Sequence, residues 1–255
     1  MALKFKAFGS GDPIIILHGL FGTLDNWQTM AKRLANDFTV FIIDQRNHGK
    51  SPHTDNISYP LMSEDLRLFM EDHWMYDAHI IGHSMGGKTA MQFALDNPDM
   101  VNKLIVVDIA PKAYVGNHES IFDALFAVPL ETLESRGAAT DILTSKLGED
   151  PGTIQFLLKN LTREKEGGYN WKMNLPVLHK DYKNILATVK GAEAFEKDTL
   201  FIKGGKSDYI SSSDMTMIQE LFSNAKLQEV PEAGHWIHAE APDALYKLLI
   251  DFLKN

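Results

Sequence analysis

The sequence predicts an α/β protein, a mostly parallel sheet covered by helices on both faces and carrying one helical insertion. Three observations carry that prediction. Short apolar runs rich in Val and Ile alternate with amphipathic stretches, the pattern of strands buried on both sides. Between about Lys112 and Lys197 the strand-like runs stop and helix-like segments take their place. Finally, Gly82-His83-Ser84-Met85-Gly86 stands between an apolar run, Ala78 to Ile81, and a helix-like stretch, Gly87 to Leu95, which makes it a strand–turn–helix junction.

Taken in order, Leu3 to Phe8 reads as a leading strand and Pro13 to Leu17 as a buried one. In Asn26 to Ala35, Trp27, Met30, Ala31 and Leu34 fall at i, i+3, i+4 and i+7, one face of a helix. Thr39 to Ile43 is the next buried strand, Tyr59 to His73 the next helix, and Lys103 to Val107 the strand after the helix that follows Ser84. In the insertion, Glu119 to Ala127, Leu130 to Leu147 and Gly152 to Leu161 read as helices, and the turn-rich Lys165 to Asn170 precedes further helix-like sequence. The sheet pattern resumes with Thr199 to Lys203, a helix at Asp214 to Phe222, a strand at Leu227 to Val230 and a last helix from Ala241 to Leu253. Residues 1–111 and 198–255 are therefore expected to form the core, with 112–197 a helical cap inserted between two strands of one sheet. No internal repeat or low-complexity tract interrupts this plan.

Composition narrows the function classes. A chain of 255 residues with 44% apolar and 23% charged residues fits an ordinary globular α/β domain with an insertion. Its 34 acidic residues against 25 basic ones give a formal charge of −9, which disfavours nucleic acid or an anionic membrane surface as the main partner. The absence of cysteine excludes disulfides, thiolate metal sites and cysteine nucleophiles. The start, Met1 to Lys6, lacks the apolar stretch of a signal peptide, and no run reaches the roughly 18 apolar residues of a membrane span. Cytoplasmic residence is the expectation.

The Ser84 junction is the G-x-S-x-G pattern in the context that gives it mechanical meaning. A serine on a sharp turn between a buried strand and a helix projects its hydroxyl above the sheet, and Gly82 and Gly86 let the backbone turn without a Cβ collision. Such a nucleophile needs a base, an orienting acid and an oxyanion hole. His235, in Glu232-Ala233-Gly234-His235-Trp236, lies between the last strand and the last helix, on the sheet edge shared by loops that follow strand carboxyl ends. An imidazole there takes the hydroxyl proton and returns it to the leaving group. His238, three residues on, reads instead as the start of the final helix. The oxyanion hole is expected from two backbone N–H groups, that of Met85 at the helix N-terminus and that of Leu20 in His18-Gly19-Leu20-Phe21-Gly22, with His18 holding the loop. Two aspartates end strands on the correct edge, Asp108 in Val107-Asp108-Ile109-Ala110-Pro111 and Asp208 in Gly205-Lys206-Ser207-Asp208-Tyr209. Either gives the order Ser, Asp, His along the chain, so the residues alone leave the acid open.

His18-Gly19 after a strand, Asp44-Gln45-Arg46-Asn47-His48-Gly49-Lys50-Ser51, the Ser84 junction, Gly205-x-x-Asp208 and Gly234-His235 together resemble the α/β-hydrolase fold along the whole chain. That resemblance implies a mostly parallel eight-stranded sheet flanked by helices, with an inserted helical cap. Through Asp108-Ile109-Ala110-Pro111, Gly82 to Lys88 and Gly234-His235-Trp236-x-His238-Ala239, the chain is further similar to the YbfF-type bacterial esterases. This implies a serine esterase acting on acyl esters, with acyl-CoA thioesters as further substrates. It also implies an acid at the position of Asp108, whereas the usual hydrolase layout selects Asp208.

The implied chemistry needs neither metal nor organic cofactor. H-E-x-x-H is absent, His235 and His238 supply too few ligands for zinc, and neither Gly9-Ser10-Gly11 nor Gly204-Gly205-Lys206 fits a phosphate loop. Arg46 is expected to tie loops together, and Lys88 to face solvent or touch the cap. Phe122, Leu125, Phe126, Leu143, Phe156, Leu157 and Trp171 are candidates to line an acyl pocket. Carbon–carbon bond hydrolysis and perhydrolysis use the same constellation, and a non-catalytic ligand-binding protein is the alternative from another class. The expected partner is a small-molecule acyl ester or thioester.

Overall fold

A computed structural model of the protein, describing all 255 residues, organises the chain around one seven-stranded sheet. The elements run β1 (Phe5–Phe8), β2 (Pro13–Leu17), α1 (Gln28–Leu34), β3 (Thr39–Ile43), α2 (Tyr59–Asp72), β4 (Ala78–His83), α3 (Met85–Asp96) and β5 (Val101–Val107). There follow α4 (Glu119–Phe126), α5 (Arg136–Leu147), α6 (Pro151–Leu158), β6 (Leu161–Arg163), β7 (Tyr169–Trp171), α7 (Leu175–Lys180) and α8 (Tyr182–Leu186). The chain then returns through β8 (Thr199–Gly204), α9 (Met215–Leu221), β9 (Ala225–Val230), α10 (Ile237–Glu240) and α11 (Pro242–Lys254). Strand order is β1-β3-β2-β4-β5-β8-β9, with β1 antiparallel to β3 and every other pair parallel.

The sheet separates two apolar layers, and strand alternation assigns residues to them. Ile15, Leu17, Ile80, Leu104 and Val106 face the layer packed by α2 and α3, while Ile14, Ile16, Ile81, Ile105 and Val107 face the layer packed by α1 and α11. Both faces are covered, so these strands read as continuous apolar runs with no polar alternation. In α11, Leu245, Leu249 and Leu253 repeat every four residues and are buried, which seats its apolar stripe on the sheet.

Two expectations are corrected. The main sheet has seven strands, not eight: one extended run precedes β2, and that run takes the antiparallel edge beside β3. The insertion is also not purely helical. Residues Leu161–Arg163 and Tyr169–Trp171 pair as an antiparallel hairpin around Gly167 and Gly168, both at positive φ. The segment Leu130 to Leu147 is helical only from Arg136, where Ser135 caps the helix by accepting the Ala138 N–H.

The chain leaves the sheet at the end of β5 and re-enters it at β8, its immediate neighbour. Residues of the insertion and of the loops at the carboxyl ends of the parallel strands line one cleft, and the segment before β8 returns to the start of β5, where Lys197 donates to the Val101 carbonyl. No helix is long and apolar enough to cross a membrane.

Candidate active site

Ser84 sits between β4 and α3 with φ 53° and ψ −120°, a conformation normally reserved for glycine. Close approach explains the glycines around it. A Cβ on Gly82 would lie 2.2 Å from the Gly86 carbonyl oxygen, and one on Gly86 would lie 2.4 Å from that of Leu17. The first turn of α3 is therefore pressed against both its own strand and the end of β2. A Cβ on Gly19 would fall 3.2 Å from that of Ser84, which places the His18–Gly22 loop directly beside the serine.

His235 Nε2 lies 3.0 Å from Ser84 Oγ, and its Nδ1 lies 2.7 Å from Asp108 Oδ2. Asp108 is fully buried and holds a positive φ of 52° at the end of β5. Its carboxyl group accepts from three donors: the Gly204 N–H at 2.9 Å, the Ser207 hydroxyl and His235 Nδ1–H. A buried carboxylate needs such a shell, and this one also aims it at the imidazole. Donation from Nδ1 leaves Nε2 as the acceptor for the serine hydroxyl.

Asp208, the other sequence candidate, is exposed and makes no hydrogen bond to His235. The turn after β8 directs Gly204 and Ser207 inward to Asp108, and Asp208 consequently points to solvent. His238 makes no hydrogen bond to the serine hydroxyl, which pairs with His235. It belongs to the one-turn α10, stacks on Trp27 at 4.8 Å, and is pushed down to about 4 by burial and then by the charge of His235.

The loop carrying His235 is held at several points. Glu240 accepts from the Gly234 and Trp236 N–H groups at 2.7 and 3.1 Å. His83 donates from Nε2 to the His235 carbonyl at 2.8 Å, and burial holds its imidazole well below the usual range. The Tyr209 ring stacks on that of His235 at 4.1 Å and 20°. Tyr209 is placed in turn by the Tyr114 hydroxyl, which donates to its carbonyl at 2.6 Å and accepts from the Ala110 N–H at 2.8 Å. Sequence reasoning missed Ser207, Tyr209 and His83, which act through contacts between distant segments, and Glu240, which turns back on its own loop.

The two amides expected to form an oxyanion hole belong to residues that line the cleft. Met85 is the first residue of α3, where backbone N–H groups lack an intrahelical acceptor, and the Leu20 N–H is given to no acceptor in the protein. His18 shapes the Leu20 loop. Its Nδ1–H donates to the Gly19 carbonyl at 2.8 Å and its Nε2 accepts from the Gln45 N–H at 3.1 Å, with burial pushing the ring down to about 4. Arg46 is taken up by a buried bidentate pair with Asp65, at 2.5 and 2.8 Å, and does not face the cleft.

The cleft is open to solvent, with Ser84 and His235 in its wall. From the insertion, Ile121, Phe156, Leu157, Tyr182, Ile185 and Leu186 line it. Of the residues expected there, only Phe156 and Leu157 take part. Phe122, Leu125, Leu143 and Trp171 are buried between elements of the insertion and sheet, and Phe126 turns outward at 47% exposure. Helical spacing identifies the apolar face of a helix but not which rim of that face meets a cavity. Of the two places expected for Lys88, solvent or the insertion, it takes the second. It is 1% exposed, and its ammonium donates to the carbonyls of Lys112, Ala187 and Leu186 at 2.7, 2.6 and 3.3 Å. These three carbonyls belong to the two crossings between sheet and insertion.

A parallel sheet with an inserted segment over its carboxyl edge, and a serine on a sharp strand–helix turn beneath it, define a class of enzyme architecture. The chain belongs to the α/β-hydrolase fold family, whose family model matches residues 12–242. Among its relatives, esterase YbfF of Escherichia coli K12 is 38% identical over 96% of this chain and 94% of that protein. An sn-1-specific diacylglycerol lipase of Danio rerio is 37% identical over 98% of this chain and 81% of its own. The solved structure of a marine microorganism esterase is 42% identical and superposes with a TM-score of 0.96, covering 98% of both chains.

Proposed function

We propose that the protein is a serine carboxylesterase that hydrolyses acyl esters through an acyl-enzyme. The observation that carries this reading is the linear relay from Ser84 Oγ to His235 Nε2 at 3.0 Å and from His235 Nδ1 to Asp108 at 2.7 Å. In the proposed reaction His235 takes the Ser84 proton as the oxygen attacks the ester carbonyl. The Leu20 and Met85 N–H groups receive the developing oxyanion, and Asp108 keeps the imidazole in the tautomer that accepts at Nε2. His235 then protonates the leaving alcohol. Water, deprotonated by the same imidazole, releases the acid and restores Ser84.

Residues 112–197 act as a cap in this reading, because their side chains form the apolar wall that an acyl chain would meet above Ser84. The names of the relatives, an esterase and a lipase, point to the same bond type. Acyl-CoA thioesters react by the same route and belong in the substrate panel beside oxygen esters.

Labelling with a fluorophosphonate probe tests the proposal. The probe is expected to modify Ser84 in the wild-type protein, and Ser84→Ala is expected to lose both labelling and ester turnover while keeping its fold. A folded wild-type protein that neither labels nor hydrolyses any ester would contradict it.

A further inference from the structure

His118 lies immediately before α4, lines the cleft that holds Ser84 and His235, and has no part in the relay. Its Nδ1 pairs with the hydroxyl of Tyr182, the first residue of α8. A phenol O–H is a stronger acid than a neutral imidazole N–H, and an imidazole nitrogen is a stronger base than a phenol oxygen, so Tyr182 donates to Nδ1. Burial, and then the charge of His235, push the imidazole down to about 4, so the ring is neutral near pH 7. A neutral imidazole that accepts at Nδ1 carries its hydrogen at Nε2.

That Nε2–H has no hydrogen-bond partner within the protein and is accessible, on a half-buried ring that lines the cleft. The ring is fixed by edge contacts with Phe21 at 6.1 Å and Tyr182 at 5.6 Å. The only lysine or arginine lining the cleft is Lys88, whose ammonium is already given to three backbone carbonyls. The wall therefore offers a fixed neutral donor and no free cation.

We propose that His118 is a substrate-binding residue whose Nε2–H donates to an uncharged oxygen, a carbonyl or hydroxyl, set apart from the scissile ester. The preferred substrates are thus esters with a second oxygen function, not plain alkyl esters. This rests on the esterase reading of the same cleft. The second oxygen belongs either to the acyl chain or to the alcohol, and paired substrates distinguish the two.

The test measures kcat/KM for 4-nitrophenyl 4-oxopentanoate against 4-nitrophenyl pentanoate, and for 1-butyrylglycerol against propyl butyrate. Wild type is expected to favour the oxygen-bearing member of at least one pair by about 3- to 10-fold, the effect of one neutral hydrogen bond. His118→Phe is expected to lower kcat/KM for the oxygen-bearing member more than for its plain partner, which brings the ratio to about one in a protein that still labels. His118→Gln, which keeps a donor, should retain part of it. Tyr182→Phe, which frees the tautomer, should weaken it. Turnover of plain esters with no oxygen preference in either wild-type pair overturns the inference and leaves the esterase reading intact. So does a preference that survives in a His118→Phe protein that still labels. If His118→Phe does not fold, the wild-type ratios and His118→Gln decide. Absence of both labelling and turnover in wild type removes the esterase reading and this inference together.

Discussion

Ser84 and Asp108 share a backbone property: neither is glycine, yet φ is 53° at one and 52° at the other. Each ends a central parallel strand, β4 or β5, and each turns its side chain up from the sheet edge toward His235. Sparsely populated backbone of this kind costs on the order of 1–3 kcal/mol per residue and persists where surrounding structure over-determines it. At Ser84 the approach of Gly86 to Leu17 and Gly82 supplies that constraint. The strain predicts a measurable difference between two inactive variants. Ser84→Gly should be more stable than Ser84→Ala by about 1 kcal/mol, because glycine relieves a conformation that alanine retains, less its own entropic cost. Urea unfolding midpoints of the two proteins check this, and equal midpoints would contradict it. At this scale the sequence made the serine, the histidine and both candidate acids visible. The choice between Asp108 and Asp208 depends on which side chain the turn after β8 directs inward, and local pattern does not encode that.

Among elements, the insertion is joined to the sheet by Lys88 of α3. The carbonyls it holds lie at Lys112, where the chain departs, and at Leu186 and Ala187, where α8 ends. The sequence left Lys88 between solvent and the insertion, and the burial of α3 from Met85 to Ala94 decides for the insertion. Burial pushes its ammonium from 10.5 down to about 7. In the unfolded chain the group keeps the ordinary value, so between pH 7 and 10.5 the unfolded chain binds a proton that the fold does not. Stability relative to a variant without the amine therefore rises with pH across this window and is lost as pH falls back toward 7. The stability gap between wild type and Lys88→Met should shift in favour of wild type from pH 7 to 9.5, by no more than about 1.4 kcal/mol per pH unit. Parallel pH profiles for the two proteins would contradict this. The β6–β7 hairpin escaped sequence reading for a different reason: strands of three residues carry too little alternation to stand apart from helix-like surroundings.

Across the whole molecule, the strand runs of the sheet were legible because strands buried on both faces have a composition of their own, and the insertion because that composition stops. The eighth strand was inferred from likeness alone and is absent. Histidine burial is a global feature that composition cannot show. His18, His118 and His238 are pushed to about 4, and His48 to about 3, in each case chiefly by burial. The folded values lie below the unfolded 6.5, so the contribution of these groups is fully present above pH 6.5 and is lost as pH falls toward 4. Each adds a slope approaching about 1.4 kcal/mol per pH unit inside that window. Urea midpoints are expected to fall steeply between pH 6.5 and 4.5. A flat profile there would mean that these rings are hydrated or charged in the folded protein.

The most direct measurement is turnover of Asp108→Asn and Asp208→Asn beside wild type on 4-nitrophenyl esters from short to long acyl chains. Asparagine at 108 keeps the shape of the side chain but no longer holds His235 in the tautomer that accepts from Ser84, a change that costs on the order of 10⁴ in kcat for such relays. The expected result is a collapse of that size for Asp108→Asn, with Asp208→Asn close to wild type because its side chain lies in solvent. Collapse of Asp208→Asn with Asp108→Asn active would contradict the relay through Asp108.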